Sequence, residues 1–425
     1  MDEVEQVTGG QAPCHIHYDK QRTHIMNKKD LEFYKNKRVL VTGHTGFKGS
    51  WLCQILLSAG AEVTGYSLEP PTTPSLFDEA ALANRINHVV GDIRDREKLM
   101  QVFKDVQPEI VFHLAAQPIV RISYQDPVGT YETNVMGTVN ICEAVRQTPS
   151  VRSFLNVTTD KVYKNNEWCW GYREDEPLDG YDPYSNSKSC SELVTHSYIN
   201  SFYNDMDVAV STARAGNVIG GGDFAPDRII PDCVRAAERM LVNGRASGDE
   251  SEDTGVIIVR NPFSTRPYQH VLEPLNIYLT IAKEQYEDKS KAGFYNVGPD
   301  DSDCVTTGDI VDKFCSAWNT GRVTSESYEG RAQDGKLGWL NKHDGGPHEA
   351  NFLKLDCSLI KQVFGWKPVW NIDKAIEMVV QFSKRRIEIF EEEGIPGTDD
   401  ITGATKRINQ KITEEMNREI DEFFG

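Results

Sequence analysis

The stretch RVLVTGHTGFKG, residues 38–49, decides the fold of this chain. It joins a short β-branched run, residues 38–42, to the glycines Gly43, Gly46 and Gly49, and a helical pattern follows over residues 50–59. Glycines at such a turn let the backbone approach a pyrophosphate, whose charge is then met by the helix N-terminus. A strand, a glycine turn and a helix in this order predict a dinucleotide-binding unit.

Further apolar runs continue this pattern along the chain. They lie at residues 61–66, 89–93, 109–114, 152–158 and 208–214, with helical segments between them. Strands that alternate with helices predict an α/β fold, a doubly wound parallel Rossmann sheet that binds ligands at the carboxyl ends of its strands. The alternation is lost after about residue 220, which predicts a smaller C-terminal substrate-binding domain.

The predicted domain organisation has four parts. We expect a poorly ordered N-terminal extension over residues 1–30, a cofactor-binding domain mainly over 36–215, an interleaved nucleotide-sugar-binding domain mainly over 216–390, and a charged helical tail over 391–425.

Composition and charge exclude several classes of protein. The net charge of −18, from 64 acidic and 46 basic residues, would repel a polyphosphate backbone, so we expect no nucleic-acid partner. No apolar run approaches the roughly 18 residues that a membrane helix needs, so we expect no membrane span. Nine cysteines without close paired spacing, and no apolar signal core, are typical of a cytoplasmic protein with reduced thiols. Cys14, His15 and His17 lack a second cluster, so we expect no bound metal.

The segment after the second apolar run bears on the choice of dinucleotide. Residues 66–69 include no aspartate where a ribose-binding acid is expected and no arginine to neutralise a 2′-phosphate, and the missing arginine favours NAD over NADP. Asp92 follows the third run and can accept from an adenine amine. The predicted cofactor-binding residues are Gly43, Thr45, Gly46, Phe47, Gly49, Asp92, Ile93, Leu114, Ala115, Ala116, Tyr184 and Lys188.

The pentapeptide Tyr184-Ser185-Asn186-Ser187-Lys188 carries the strongest chemical signal. Residues four apart share one face of a helix, so the phenol and the ammonium can face one cavity. An ammonium beside the phenol lowers the pKa of Tyr184, which makes Tyr184 the predicted base for a sugar hydroxyl. Thr159 can hydrogen-bond the same hydroxyl, and Asp160 and Lys161 add the two acid–base groups that elimination of water requires.

Five strings of the sequence resemble the CDP-glucose 4,6-dehydratases, which belong to the extended short-chain dehydrogenases. They are GHTGFKGSWL (43–52), HLAAQP (113–118), TTDKVY (158–163), DPYSNSK (182–188) and RPYQHVLEPL (266–275). The resemblance spans roughly residues 36–383 and implies an internal redox cycle. Hydride passes from sugar C4 to NAD, water is lost across C5 and C6, and the hydride returns to C6.

The resemblance also implies roles for individual residues. Thr159, Tyr184 and Lys188 serve oxidation at C4, and Asp160 protonates the departing C6 hydroxyl. Lys161 stands where the related dTDP-glucose dehydratases carry a glutamate that acts as the C5 base. We therefore assign Lys161 as the C5 base, a hypothesis that requires its pKa to be lowered.

An anionic ligand in an acidic protein requires local cations, and arginine suits bidentate phosphate binding. The predicted substrate-binding residues are Gln117, Arg121, Arg214, Asn217, Arg228 and Arg266. The expected substrate is a nucleotide-diphosphate sugar, and relatives that pair the helices around Asn134 and Tyr184 suggest a homo-oligomer, either a dimer or a tetramer.

Three alternative functions remain open at this point. A nucleotide-sugar 4-epimerase needs Tyr184 and Lys188 but no elimination groups. A dehydratase for a dTDP-, GDP- or UDP-sugar would use the same chemistry, because no residue reads the nucleotide base by a rule we can derive. The third alternative is a non-enzymatic sensor that keeps the cofactor fold.

Overall fold

A computed structural model describes residues 25–246, 255–320, 336–342, 352–394 and 401–425. The strands are β1 Arg38–Thr42, β2 Glu62–Ser67, β3 Asn87–Val90, β4 Ile110–His113, β5 Ser153–Val157, β6 Ala209–Ala215, β7 Asn217–Ile219, β8 Val256–Val259, β9 Thr265–His270, β10 Phe294–Val297, β11 Cys304–Thr306 and β12 Gly338–Asn341. The helices are α1 Lys28–Leu31, α2 Phe47–Ser58, α3 Leu76–Glu79, α4 Arg96–Val106, α5 Val120–Gln125, α6 Pro127–Tyr131, α7 Gly137–Arg146, α8 Pro183–Ser201, α9 Ile229–Ala246, α10 Leu272–Glu287, α11 Thr307–Thr320, α12 Ser358–Phe364, α13 Ile372–Glu393 and α14 Ile401–Phe424.

A seven-stranded sheet in the order β10-β6-β5-β4-β1-β2-β3 forms the larger part of the molecule. Every pair of neighbouring strands in it is parallel. β4, β5 and β6 are buried along their whole length, as expected where helices cover both faces of a parallel sheet. The predicted doubly wound parallel sheet is confirmed.

A smaller part is built on two short sheets, β11-β9-β7 and β12-β8. It has a core of its own, in which Ile257, Phe314 and Trp339 pack with Ile376 of α13. Two elements from the same stretch of chain, α10 and β10, belong to the large sheet instead: β10 pairs with β6, and α10 packs against β5 and β6. The two parts therefore exchange segments of chain.

The two ends of the described chain pack against the rest of the molecule. Residues 25–30 fall within the predicted N-terminal extension, yet Met26 is buried and α1 begins at Lys28 behind an Asn27 capping box. Residues 1–24 of that extension lie outside the described residues. In the C-terminal tail, α14 buries the apolar stripe of Ile412, Met416 and their neighbours against α2, α3 and α13.

Candidate active site

One cleft of about 920 Å³ lies at the carboxyl ends of the central strands of the large sheet. Its walls come from the glycine turn after β1, from the segments after β3, β4 and β5, from the start of α8, and from the smaller part of the molecule. Ligands of doubly wound sheets bind at this edge, so the cleft is the candidate active site.

The glycine turn forms a cradle that side chains would fill. A Cβ on Gly43, which has φ +74°, would lie 2.7 Å from the Ala115 backbone nitrogen, and one on Gly49 would lie 2.2 Å from the Gly43 carbonyl oxygen. Gly46 caps α2 without a side chain, and a Cβ there would meet only the Gly43 oxygen, at 3.4 Å. The N-terminus of α2 is therefore open to the cleft, which fits a dinucleotide diphosphate.

All the predicted cofactor-binding residues line this one cleft: Gly43, Thr45, Gly46, Phe47, Gly49, Asp92, Ile93, Leu114, Ala115, Ala116, Tyr184 and Lys188. The Thr45 hydroxyl, near the end of β2, contacts the Ser67 hydroxyl at 2.9 Å and donates to the Leu68 carbonyl oxygen at 2.9 Å. These bonds hold the turn against the segment where a ribose-binding acid is expected.

An arginine that the sequence analysis missed stands at the same end of the cleft. Arg94 lines the cleft and binds the Asp92 carboxylate, with Nη2 2.6 Å from Oδ2. This hydrogen bond lowers the pKa of Asp92. Arg94 also lies 3.4 Å from a Glu132 carboxylate oxygen. Its charge is therefore matched by two acids, so the arginine does not by itself form a 2′-phosphate site.

Tyr184 and Lys188 enter the cleft from the first turns of α8. This helix starts at Pro183, and its N-cap Asp182 accepts from the Ser185 backbone N–H at 2.9 Å. Lys188 Nζ donates to the Val157 carbonyl oxygen at the end of β5, at 3.1 Å. Burial lowers the pKa of Lys188 to about 8.

The electrostatic environment of Tyr184 differs from the one predicted. Burial raises the pKa of the phenol, while the Lys161 ammonium and a hydrogen bond with Thr159 act to lower it. The largest cationic contribution thus comes from Lys161, whereas the sequence analysis assigned it to Lys188. The Tyr-x-x-x-Lys spacing brings both residues to the cleft. It does not predict which cation has the larger effect on the pKa of Tyr184.

Asp160 and Lys161 form an ion pair directly after β5. The buried Asp160 accepts at Oδ1 from the Thr159 hydroxyl at 3.0 Å and from Lys161 Nζ at 3.1 Å. Its Oδ2 has no hydrogen-bond partner within the described part of the chain. Burial acts to lower the pKa of Lys161, but Asp160 and Tyr184 outweigh it and raise the pKa. Lys161 is therefore an ammonium here, and the lowered pKa that a C5 base requires is not found.

Four predicted substrate-binding residues line the cleft, namely Arg121, Asn217, Arg228 and Arg266. The other two do not. The Gln117 side chain turns into its own loop, where it donates to Thr130 at 2.9 Å and accepts from the Ile119 backbone N–H at 2.6 Å. Its amide is occupied in shaping the segment after β4.

Arg214 was predicted to contact the diphosphate, and the structure places it elsewhere. Its guanidinium is sealed in the core, 2.9 Å from a Glu192 carboxylate oxygen and 2.7 Å from the Tyr163 hydroxyl. Arg214 lies in β6, and Glu192 lies one helical turn beyond Lys188 in α8. The arginine therefore fixes α8 to the sheet and is too deeply buried to meet a phosphate.

The described residues include no helix with the length and apolar character to cross a bilayer. Among the same residues, no cluster of three or more histidine, cysteine, aspartate or glutamate side chains is arranged to hold a metal ion. Cys14, His15 and His17, considered above as ligands, lie outside the described residues.

A parallel dinucleotide fold with Thr159, Tyr184 and Lys188 in the same cleft as its glycine turn defines an enzyme of the short-chain dehydrogenase class. Within this class, the sequence model described as GDP-mannose 4,6 dehydratase matches residues 40–379. The chain belongs to that family, and the resemblance found in the sequence is confirmed.

Two relatives illustrate the match. A CDP-glucose 4,6-dehydratase of Salmonella typhimurium is 45% identical over 361 residues, which cover 84% of this chain and 92% of that protein. A dTDP-glucose 4,6-dehydratase of Xanthomonas campestris is 25% identical over 81% of this chain and 92% of its own length.

Solved structures share the fold. A UDP-glucose 4-epimerase from Stenotrophomonas maltophila has a TM-score of 0.65 at 19% identity, covering 83% of this chain and 99% of its own. A dTDP-glucose 4,6-dehydratase from Bacillus anthracis, in complex with NAD, has a TM-score of 0.62 at 19% identity, covering 82% of this chain and 97% of its own.

Proposed function

We propose that this protein is a CDP-glucose 4,6-dehydratase that converts CDP-D-glucose to CDP-4-dehydro-6-deoxy-D-glucose and water with NAD as its cofactor. The relative with 45% identity supports the substrate, because its match covers 84% of this chain and 92% of that protein. The observation that carries the proposal is the ion pair between the buried Asp160 and Lys161, and Lys161 lines the same cleft as Thr159 and Tyr184. An epimerase has no step that requires such a pair.

Oxidation at C4 uses Thr159, Tyr184 and Lys188. NAD, when bound, would supply the hydride acceptor for C4 and the hydride donor for C6. Thr159 and Tyr184 orient the C4 hydroxyl, and Tyr184 takes its proton. Lys188, held by the Val157 carbonyl oxygen, keeps a second cation at the place where the cofactor meets the sugar.

Elimination of water uses the Asp160–Lys161 pair. Transfer of one proton over the 3.1 Å from Lys161 Nζ to Asp160 Oδ1 would turn the ion pair into a neutral amine and a carboxylic acid. The amine then removes the C5 proton, and the acid protonates the C6 hydroxyl as it leaves. Such a transfer reconciles the raised pKa of Lys161 with its proposed role as the base.

Three further arginines of the cleft bind the nucleotide sugar. We propose that Arg121, Arg228 and Arg266, with Asn217, hold the diphosphate and the sugar, and that Asp92 and Ile93 contact adenosine of the cofactor. Arg266 lies in β9 and Arg228 precedes α9, so both come from the smaller part of the molecule. The two halves of the cleft would thus take the cofactor and the substrate respectively.

We also propose that the protein is cytoplasmic and forms a homo-oligomer, either a dimer or a tetramer. Large apolar side chains are exposed on the neighbouring elements α5, α6 and α8, where Tyr124, Val128 and Leu193 are 44%, 67% and 52% exposed. Exposed apolar patches of this kind are typical of protein interfaces. Light scattering on the protein as it elutes from a size-exclusion column would measure the mass of the oligomer. A monomer at micromolar concentration would contradict the proposed dimer or tetramer.

A panel of CDP-, dTDP-, GDP- and UDP-glucose, each incubated with the purified protein and NAD, tests the proposed reaction. The expected result is a 4-keto-6-deoxy product from CDP-glucose, detected by its absorbance in alkali. Formation of CDP-galactose would indicate the 4-epimerase, and a preference for another nucleotide would reassign the substrate. Binding of NAD without turnover of any sugar would indicate a sensor.

A further inference from the structure

Lys48 belongs to the glycine turn itself, but the proposed function gives it no task. It is the second residue of α2, and it lines the cleft. No hydrogen bond or ion pair reaches its Nζ from any residue that the structure describes. The nearest aromatic ring is that of Tyr278 in α10, whose centroid lies 5.8 Å from Nζ. The Tyr278 hydroxyl is buried and also lacks a hydrogen-bond partner within the described chain.

The surroundings of Lys48 disfavour a permanent positive charge. Charged and titratable groups reach it from every element packed around it: Asp160 and Lys161 after β5, Lys188 in α8, Arg228 before α9 and Tyr278 in α10. Burial, together with the three cations and against the opposing effect of Asp160, lowers the pKa of Lys48 to about 7. Both the neutral and the charged amine are therefore accessible near neutral pH.

The position of Lys48 connects it to the cofactor. The turn that holds it fits the diphosphate, and the groups that couple to its charge, Lys188 and Asp160, belong to the place where hydride is exchanged. A nicotinamide whose diphosphate is held by this turn and which exchanges hydride with the sugar would lie close to both places. An oxidised nicotinamide carries a positive charge and a reduced one does not, so a nearby ammonium opposes the first form and tolerates the second.

We propose that Lys48 is a proton carrier coupled to the redox state of the cofactor: its amine is neutral beside oxidised nicotinamide and takes up one proton when the ring has accepted hydride. In the first half of the cycle the C4–H and O–H bonds of the sugar break and the C4 carbonyl forms. The hydride would go to the ring. The proton is taken first by Tyr184 and then passed to Lys48, which gains an N–H bond while Tyr184 returns to its earlier protonation state. The positive charge moves from the ring to Lys48, and the total charge of the cleft is unchanged. The return of hydride to C6 and of a proton to C5 reverses the transfer.

The Tyr278 ring can stabilise the protonated amine of Lys48 through a cation–π contact. A cation within about 6 Å of an aromatic face is attracted to it. The ring centroid lies 5.8 Å from Lys48 Nζ, inside that range. The charged form is therefore supported by the ring and by Asp160, and the neutral form by burial and the three neighbouring cations.

The test measures binding of NAD and of NADH to the protein without any sugar, so it does not depend on which sugar is the substrate. The dissociation constant of each cofactor is measured by calorimetry from about pH 6 to about pH 9. We expect the affinity for NAD to rise with pH relative to that for NADH. With one linked proton the ratio of the two constants changes by up to about tenfold per pH unit.

Two substitutions distinguish the effect of proton uptake at position 48 from the effect of a permanent positive charge there. Lys48→Met cannot take up a proton, so the ratio should lose the part of its pH dependence that is centred near pH 7; any part centred near pH 8 would come from Lys188 and should remain. Lys48→Arg stays charged, so the ratio should remain in favour of NADH at every pH. Lys104→Met, on the exposed face of α4, is the matched control and should behave as the unaltered protein. Circular dichroism would check that each variant is folded.

A pH dependence that persists unchanged in Lys48→Met, or one that is missing from the unaltered protein, would overturn the proposal. The inference rests on the proposed use of NAD alone. If both cofactors bind as expected but CDP-glucose is not converted, the assignment of the sugar fails and the role of Lys48 stands. If CDP-glucose is converted but the ratio of the two dissociation constants is independent of pH, the role of Lys48 fails and the assignment of the sugar stands.

Discussion

Tyr184 and Arg214 are each buried and hydrogen-bonded, yet one faces the cleft and the other faces the core. Tyr184 lines the cleft with Thr159 beside it. The Arg214 guanidinium donates hydrogen bonds to the Glu192 carboxylate and the Tyr163 hydroxyl. Spacing in the sequence predicted that Tyr184 and Lys188 share one cavity, and both line the cleft because this prediction depends on a single helix. It misjudged Arg214 because the partner of a charged residue is set by tertiary contacts.

Removing the phenol hydroxyl should stop the reaction and leave the cofactor site intact. We expect Tyr184→Phe to lower kcat by about 10²–10⁴-fold, the usual worth of a positioned acid–base group. Cofactor affinity, measured by calorimetry, should change little. Tyr198→Phe is the control, because Tyr198 lies further along α8 and outside the residues that line the cleft. A Tyr184→Phe variant with full activity would remove Tyr184 from the mechanism.

Arg214 should matter for stability and Arg266 for substrate binding. Breaking a buried ion pair by removing one partner costs about 3–5 kcal/mol, so we expect Arg214→Met to lower the free energy of unfolding by that amount. The paired variant Arg214→Met with Glu192→Gln should lose less free energy of unfolding than the sum of the two single changes.

Arg266→Met should instead raise KM for the nucleotide sugar. Urea unfolding and steady-state kinetics separate the two effects.

At the scale of single elements, local pattern predicted the centre of the sheet better than its edges. β1, the glycine turn and α2 follow the predicted order because the signal is contained in twelve consecutive residues, 38–49. The third run was predicted at 89–93, whereas β3 spans Asn87–Val90 and Asp92 lies in the turn after it. β10 was missed altogether, because a four-residue strand that joins β6 through a long crossover has no local signature.

The glycine turn provides a matched pair of substitutions. A methyl group at Gly49 would lie 2.2 Å from the Gly43 carbonyl oxygen, while one at Gly46 would keep 3.4 Å from the same atom and project into open space. We expect Gly49→Ala to lower the free energy of unfolding by about 3 kcal/mol, the upper end of the cost of overpacking. Gly46→Ala should stay folded but bind NAD less tightly. Thermal unfolding with and without NAD would distinguish them, and equal stability of the two variants would argue against this geometry.

At the scale of the whole molecule, buried polar groups join the two parts of the structure. Glu273, in the first turn of α10, accepts from the backbone N–H groups of Val369 and Trp370 at 2.9 Å and 2.6 Å. α10 packs on the large sheet, while residues 369–370 lead into α13 of the smaller part. The sequence identified the string that contains Glu273, but the partner backbone lies about a hundred residues away and could not be foreseen.

This buried carboxyl group should make stability depend on pH. Burial raises the pKa of Glu273 from 4.5 to about 8. The folded protein therefore holds a proton that the unfolded chain has released, so stability from this group is present below about pH 4.5 and falls as the pH rises towards about 8. The slope is at most about 1.4 kcal/mol per pH unit. Glu273→Gln should flatten it, and urea unfolding across this range would measure the change.

The packing of α14 onto α2 has a consequence for how the protein is made. A chain leaving the ribosome completes α2 early, but the helix that covers it is the last described element and emerges on the order of tens of seconds later. During that interval the apolar side of the nascent cofactor domain has no partner of its own. A chaperone that shields it would raise the yield of active enzyme, and chains that stop before α14 should collect in inclusion bodies.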